Sequence, residues 1–128
     1  MDSKNLSKAD IEFINSTAKT IHSYLVRPDK WVYFSWGAKK PVATLYEGMA
    51  ALQVSVNGFI CKGKVIIAYN EGADTFEVYT FNRKGRLLET RKDVYFDELQ
   101  SVVDSMVETK NAASDEYKNQ IDGWLATI

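Results

Sequence analysis

The chain has 128 residues, 26% of them charged, with a formal net charge of −1 and one cysteine. That length fits one domain, 1–128, able to bury roughly two thirds of its unfolded surface without staples. The lone Cys61 excludes an intrachain disulfide or a thiolate metal site built by one chain, so a reducing, cytosolic compartment is expected.

Residues Met1 to Asn5 carry no apolar run of signal-peptide length. No stretch reaches the roughly 20 apolar residues of a membrane helix, and no membrane partner is expected.

In chain order, the first element is a helix from Ser7 to Val26, with Ile11, Ile14, Ala18, Ile21, His22 and Leu25 recurring at helical spacing. Ser7 and Asp10 have the spacing of a reciprocal cap, Leu6 and Ile11 that of a staple, and Pro28 ends the helix. Trp31 to Trp36 reads as a short aromatic strand, Gly37 to Pro41 as a loop, and Val42 to Tyr46 as a second strand.

From Ala50 to Lys92 the pattern is that of a four-stranded antiparallel meander. Leu52, Val54 and Val56 alternate with polar residues. Asn57-Gly58 is the preferred pair for a two-residue type I′ turn, which sets Val56 opposite Phe59 and Val54 opposite Cys61. Phe59, Cys61, Val65, Ile67 and Tyr69 then share the core face, with a bulge tolerated at Gly63. A turn at Glu71–Asp74 pairs Asn70 with Thr75 and brings Phe76 and Val78 to that face. A three-residue loop, Arg83-Lys84-Gly85, sets Glu77 across from Arg91 and Val78 across from Thr90.

Two helices close the chain. Asp97 is the expected cap of the first, with Gln100 three residues on and Leu99, Val102, Val103, Met106 and Val107 as its stripe. The second begins at Ser114, with Tyr117, Ile121, Trp124, Leu125 and Ile128 as its stripe. The fold class is therefore α+β: an N-terminal helix, an antiparallel sheet containing a four-stranded meander, and two C-terminal helices.

Chemistry is sparsely marked. His22 is the only histidine and lies on a packed stripe, with no identifiable partner to orient it as a base. Cys61 falls on the core face, where a thiol behaves as a small hydrophobe. Glu47 and Glu71 each precede a glycine at a strand end; a hydrolase-like enzyme using this pair is one alternative, although Glu-Gly is ordinary turn chemistry. Asn70, Glu71 and Asp74 lack the alternation of a calcium loop, and no phosphate-binding glycine motif is present. No catalytic residue, cofactor or metal is assigned.

Charge is uneven. Residues 31–92 are rich in lysine and arginine, whereas from Asp93 onward eight acidic side chains face only Lys110 and Lys118. Arg83, Lys84 and Arg86, with Lys39, Lys40 and the aromatics Trp31, Tyr33 and Trp36, have the composition of a single-strand nucleic-acid binder, the other alternative. The sheet face opposite the core carries Ile60, Ile66, Ala68, Tyr79, Phe81 and Leu87. A patch of this kind suits a protein partner, a second copy of the chain being the simplest. The leading expectation is a non-enzymatic binding or protein-interaction module, with Ile66, Tyr79, Phe81, Leu87, Arg83, Lys84 and Arg86 as candidate contact residues.

The segments Val56-Asn57-Gly58-Phe59, Asn70 to Tyr79 and Asp93 to Leu99 resemble a group of small gut-bacterial proteins with no assigned activity. The resemblance spans about the second half of the chain. It implies a bacterial cytosolic setting and supplies no site residue.

Overall fold

The computed structural model describes residues 5–108; the helix expected from Ser114 lies outside them. The architecture is α+β, with three α-helices against one face of a five-stranded antiparallel sheet in simple meander order. No helix among the described residues is long and apolar enough to cross a membrane.

Helix α1 spans Lys8–Val26 and starts where the sequence places it. The Asp10 amide donates to Ser7 Oγ at 3.0 Å, and the Ser7 amide donates to Asp10 Oδ2 at 3.1 Å. Ile14, Ala18, Ile21 and Leu25 are its buried stripe.

The next segment corrects the sequence reading. Lys30–Ser35 is not a strand but a short helix, α2, capped by Asp29, whose Oδ1 accepts from the Trp31 amide at 2.9 Å. Its aromatic and β-branched residues favour strands by propensity. Spacing decides otherwise: Tyr33 and Trp36, three apart, are buried together, and Trp31 and Phe34 point outward. Trp36 Nε1–H donates to the buried Asp104 carboxylate at 2.9 Å, tying α2 to the helix Leu99–Val107.

The sheet comprises β1 (Lys39–Tyr46), β2 (Met49–Asn57), β3 (Lys62–Asn70), β4 (Thr75–Asn82) and β5 (Leu87–Val94). Asn70 pairs with Thr75 as expected, and the β4–β5 loop carries Gly85 at φ 84°, the left-handed position foreseen for it.

The β2–β3 hairpin departs from expectation. Val54 lies opposite Val65 and Val56 opposite Gly63, so the loop runs from Gly58 to Cys61 and has no type I′ turn; neither Asn57 nor Gly58 has a positive φ. A tertiary contact overrides the local preference. Ile60 and Cys61 donate their amides to Val107 O at 2.8 and 3.3 Å, and the Phe59 amide donates to Glu108 Oε1 at 3.0 Å. The end of the helix Leu99–Val107 thereby satisfies a loop that in turn occupies one of its orphan carbonyls, that of Val107. Phe59, expected in the core, is exposed, whereas Cys61 is buried. The β2–β3 pairing shows no shift at Gly63. Glycine is needed there because a Cβ would stand 2.1 Å from Phe81 O.

Both outermost strands are irregular. In β1 the register slips between Lys39 and Val42, around Lys40 at φ 52° and Pro41. In β5 it slips twice, at Leu88 and near Asp93 at φ 56°, so Val78 faces Arg91 and Tyr79 faces Thr90 rather than the unbulged pairs expected.

After β5, the 3-10 turn Phe96–Glu98 leads into α3, Leu99–Val107. Asp97 does not cap it; instead Glu98 Oε1 accepts from the Tyr95 amide at 2.9 Å. Gln100 Nε2 donates to Leu25 O and Asp29 O, both at 2.8 Å, fastening α3 across the junction of α1 and α2.

The main core joins Ile21, Leu25 and Trp36 to Val54, Val65, Ile67, Val78, Leu99 and Met106. On the other face a smaller cluster of Ala51, Ile66, Ala68, Tyr79 and Phe81 is buried, with Tyr46 and Met49 against it.

Candidate ligand-binding site

The meander sends its turns alternately to two ends. Glu47 in the β1–β2 turn shares one end with Glu71 and Asp74 in the β3–β4 turn; Lys62, Arg83, Lys84 and Arg86 stand at the other. At the acidic end, a cavity of about 300 Å³ opens between α1 and the sheet. Its walls are Ser16, Thr17, Thr20 and Tyr24 of α1, Tyr69 and Phe76 of the sheet, Asp74 of the turn and Phe96 of the 3-10 turn.

Each element has a reason to deliver its side chain there. Ser16, Thr20 and Tyr24 recur every four residues along one face of α1. Tyr69 and Phe76 are directly opposed across β3 and β4, with ring centroids 5.3 Å apart. Tyr24 packs against Phe76 at 6.0 Å, edge to face, and against Phe96 at 5.3 Å. The result is a bracket of four aromatic rings with Phe76 buried as its floor and Phe96, 58% exposed, at its rim. Asp74 sits at φ 52°, a left-handed position that aspartate tolerates in turns, and Asn70 Oδ1 steadies that turn by accepting from the Ala73 amide at 3.2 Å.

The hydrogen-bond directions define the pocket's polarity. Ser16 Oγ donates to Phe13 O at 3.1 Å, and Thr20 Oγ1 donates to Ser16 O at 3.0 Å. Tyr69 OH donates to Asp74 Oδ1 at 2.7 Å. These hydroxyls spend their hydrogens on the protein and keep lone pairs for a ligand. Tyr69 is held above its ordinary pKa, first by the bond to Asp74, then by burial and by the charges of Asp74 and Glu71. None of the described lining residues is basic.

The residues singled out by sequence are scattered. Glu47 and Glu71 are exposed in separate turns, and neither lines this pocket. His22 packs on Tyr33, with Nε2 3.2 Å from the Tyr33 hydroxyl. Of the aromatics considered for nucleic acid, Trp31 is exposed, whereas Tyr33 and Trp36 are core. Ile66, Tyr79 and Phe81 are buried in the second cluster, Leu87 is half-exposed on β5, and Arg83, Lys84 and Arg86 are exposed. On that second face Glu77 is buried, its carboxylate accepting from Tyr79 OH and, at 3.2 Å, from Asn70 Nδ2. Tyr79 is accordingly pushed well above its ordinary value by burial, the Glu77 bond and the nearby negative charge.

Sequence reasoning missed the aromatic pocket. The only signal was the recurrence of the hydroxyl-bearing Ser16, Thr20 and Tyr24 every four residues along α1, and nothing local linked them to Asp74 or Phe96. Comparison with known proteins finds no matching family model, curated protein or solved structure, so the site is read from its own geometry.

Proposed function

We propose that the protein is a binding module and that its ligand is a small organic cation with an apolar body and at least one ammonium N–H. One observation carries this reading: aromatic faces and hydrogen-bond acceptors line the cavity together, with Asp74 supplying the charge. Rings attract a cation through their negative faces, an interaction worth about 0.5–2 kcal/mol depending on desolvation. Lone pairs on Ser16 and Thr20 complement N–H donors and offer nothing to an anion. The size, about 300 Å³, is at the small end of ligand pockets. Glu71, which acts electrostatically on Tyr69, adds to the negative field at the mouth.

The test compares benzylammonium with benzyl alcohol, equal in shape and different in charge, by titration of backbone amide NMR shifts. Benzylammonium is expected to shift amides around Thr20, Tyr69 and Asp74 and to bind at least about tenfold more tightly, a difference of about 1.4 kcal/mol. Asp74→Asn should remove most of that preference, and Phe96→Ala should weaken both probes severalfold. Equal binding of the two probes, or a benzylammonium affinity unchanged by Asp74→Asn, would refute the assignment.

A further inference from the structure

The flank of α1 away from the aromatic pocket faces the edge strand β1, and a groove runs between the two. Ile11, Asn15, Ala18 and His22 recur at helical spacing along that flank. Ala43 and Leu45, two apart on β1, turn to the same side, with Leu52 directly opposite Ala43 on β2. Ala43 is too small to fill the space, and the register slip around Lys40 and Pro41 keeps the start of β1 from closing it. Two cavities result, of about 500 and about 380 Å³, which share Asn15 and Ala43. Together they follow α1 from His22 back to Ile11, about 16 Å of helix.

The two ends of the groove differ in chemistry. Toward Ile11 the walls are aliphatic, with Leu6, Ile14 and Leu45 beside it. The other end holds Lys19 and His22, one turn apart. His22 Nε2 stands 3.2 Å from the Tyr33 hydroxyl; with that nitrogen accepting, Nδ1–H is the donor left for a ligand. Lys19 carries the one formal charge among the described lining residues, and none of them is a carboxylate. Lys40, exposed beside the lining Pro41, adds positive field at that end.

An elongated apolar channel with cationic donors at one end complements an amphipathic anion. Apolar walls leave the remainder of a hydrophilic anion unsatisfied, and Lys19 repels an apolar cation. We infer that this groove binds a monocarboxylate with an unbranched tail of medium length. Its carboxylate meets Lys19 and His22, and its tail lies over Ala43 toward Ile11 and Leu45. The inference is independent of the aromatic pocket, whose acceptors and Asp74 suit the opposite charge.

The experiment titrates the full chain with octanoate, hexanoate and 1-octanol and follows backbone amide NMR shifts. Octanoate should move the amides of Lys19, His22, Ala43 and Leu52 and bind at least about tenfold more tightly than 1-octanol, which has the same tail and no charge. Hexanoate, two methylenes shorter, should bind roughly tenfold more weakly than octanoate. Lys19→Gln, at an exposed position, should remove most of the preference for octanoate over 1-octanol. Ala43→Leu should weaken all three probes, and Asp74→Asn should leave them unchanged. Octanoate that leaves those amides unmoved, binds no better than 1-octanol or hexanoate, or ignores Lys19→Gln would overturn the inference. So would a loss of octanoate binding in Asp74→Asn, which would put the probe in the aromatic pocket. A dimer by light scattering that Ile11→Glu dissociates, with octanoate unbound, would give the groove to a second copy and overturn it as well.

Discussion

At one end of the sheet the turns carry Glu47, Glu71 and Asp74; at the other they carry Lys62, Arg83, Lys84 and Arg86. Asp74 and Arg83 are separated in sequence by β4 alone, eight residues, or about 26 Å of extended chain. That exceeds the roughly 8 Å over which exposed charges interact at physiological ionic strength, so the two ends act on their surroundings independently. Shape follows the same division. At the acidic end α1 and Phe96 stand beside the sheet and enclose a hollow; at the basic end the backbone of the β2–β3 loop is bonded to the end of α3. A net charge of −1 thus describes neither surface. What matters is which turns an antiparallel meander sends to the same side.

The most forceful way to break the comparison is through glycine. A Cβ on Gly58 would stand 2.4 Å from Val107 Cγ1 and 2.5 Å from Val107 O, whereas on Gly72 its nearest neighbour would be Asn70 Oδ1 at 3.7 Å. Gly58→Ala should therefore cost about 2–3 kcal/mol, as overpacking against a helix end does. Gly72→Ala at the acidic end should stay within about 0.5 kcal/mol of the parent. Urea unfolding of the two variants measures both; similar losses would mean that the β2–β3 loop does not dock on α3.

A smaller effect separates the ends by pH. Tyr46, Tyr69 and Tyr79 all have phenols raised above 10.0: Tyr46 and Tyr79 chiefly by burial, Tyr69 chiefly by its bond to Asp74. Once pH passes 10, the unfolded chain sheds protons that the native state keeps. Stability is therefore full below that value and declines as pH rises through the native values. Urea midpoints should fall progressively as pH rises above 10.0. Glu77→Gln should let Tyr79 ionise earlier in a phenolate absorbance titration, and an unchanged curve would argue against the Glu77–Tyr79 bond.

Least in magnitude is the response of Cys61. Burial raises its thiol, against a lowering by the Phe81 carbonyl contact, and the side chain is enclosed under the basic loop. Iodoacetamide at mildly alkaline pH should leave the native chain unlabelled and label it fully in urea. Gly58→Ala should speed native labelling by loosening the loop. Rapid labelling of the parent would place the thiol at the surface.

Much of the scaffold is legible in the residues themselves. Ser7 with Asp10 starts α1, and alternation along β2, β3 and β4 separates Val54, Ile67 and Val78 from Ile66, Tyr79 and Phe81, residues now seen in two distinct clusters. The failures share a cause: a partner distant in sequence decided the outcome. Asn57-Gly58 has the local chemistry of a tight turn, but Val107 O offered the loop amides better bonds. Trp31 to Trp36 has strand composition, but Asp104, far along the chain, held Trp36. The bulges at Leu88 and Asp93 shift β5 without any glycine to announce them. The pocket draws on α1, two strands, a turn and the 3-10 segment, and no single window of sequence contains it.

The irregular outer strands also bear on what the molecule does at high concentration. For one sheet to zip onto another, successive amides and carbonyls along an edge must match a regular spacing. Lys40 and Pro41 interrupt that spacing along β1, and the slips at Leu88 and Asp93 interrupt it along β5, leaving few consecutive bonds in register on either side. A neighbouring chain thus meets a broken template from both directions, which disfavours runaway strand addition and fibril growth in a crowded solution.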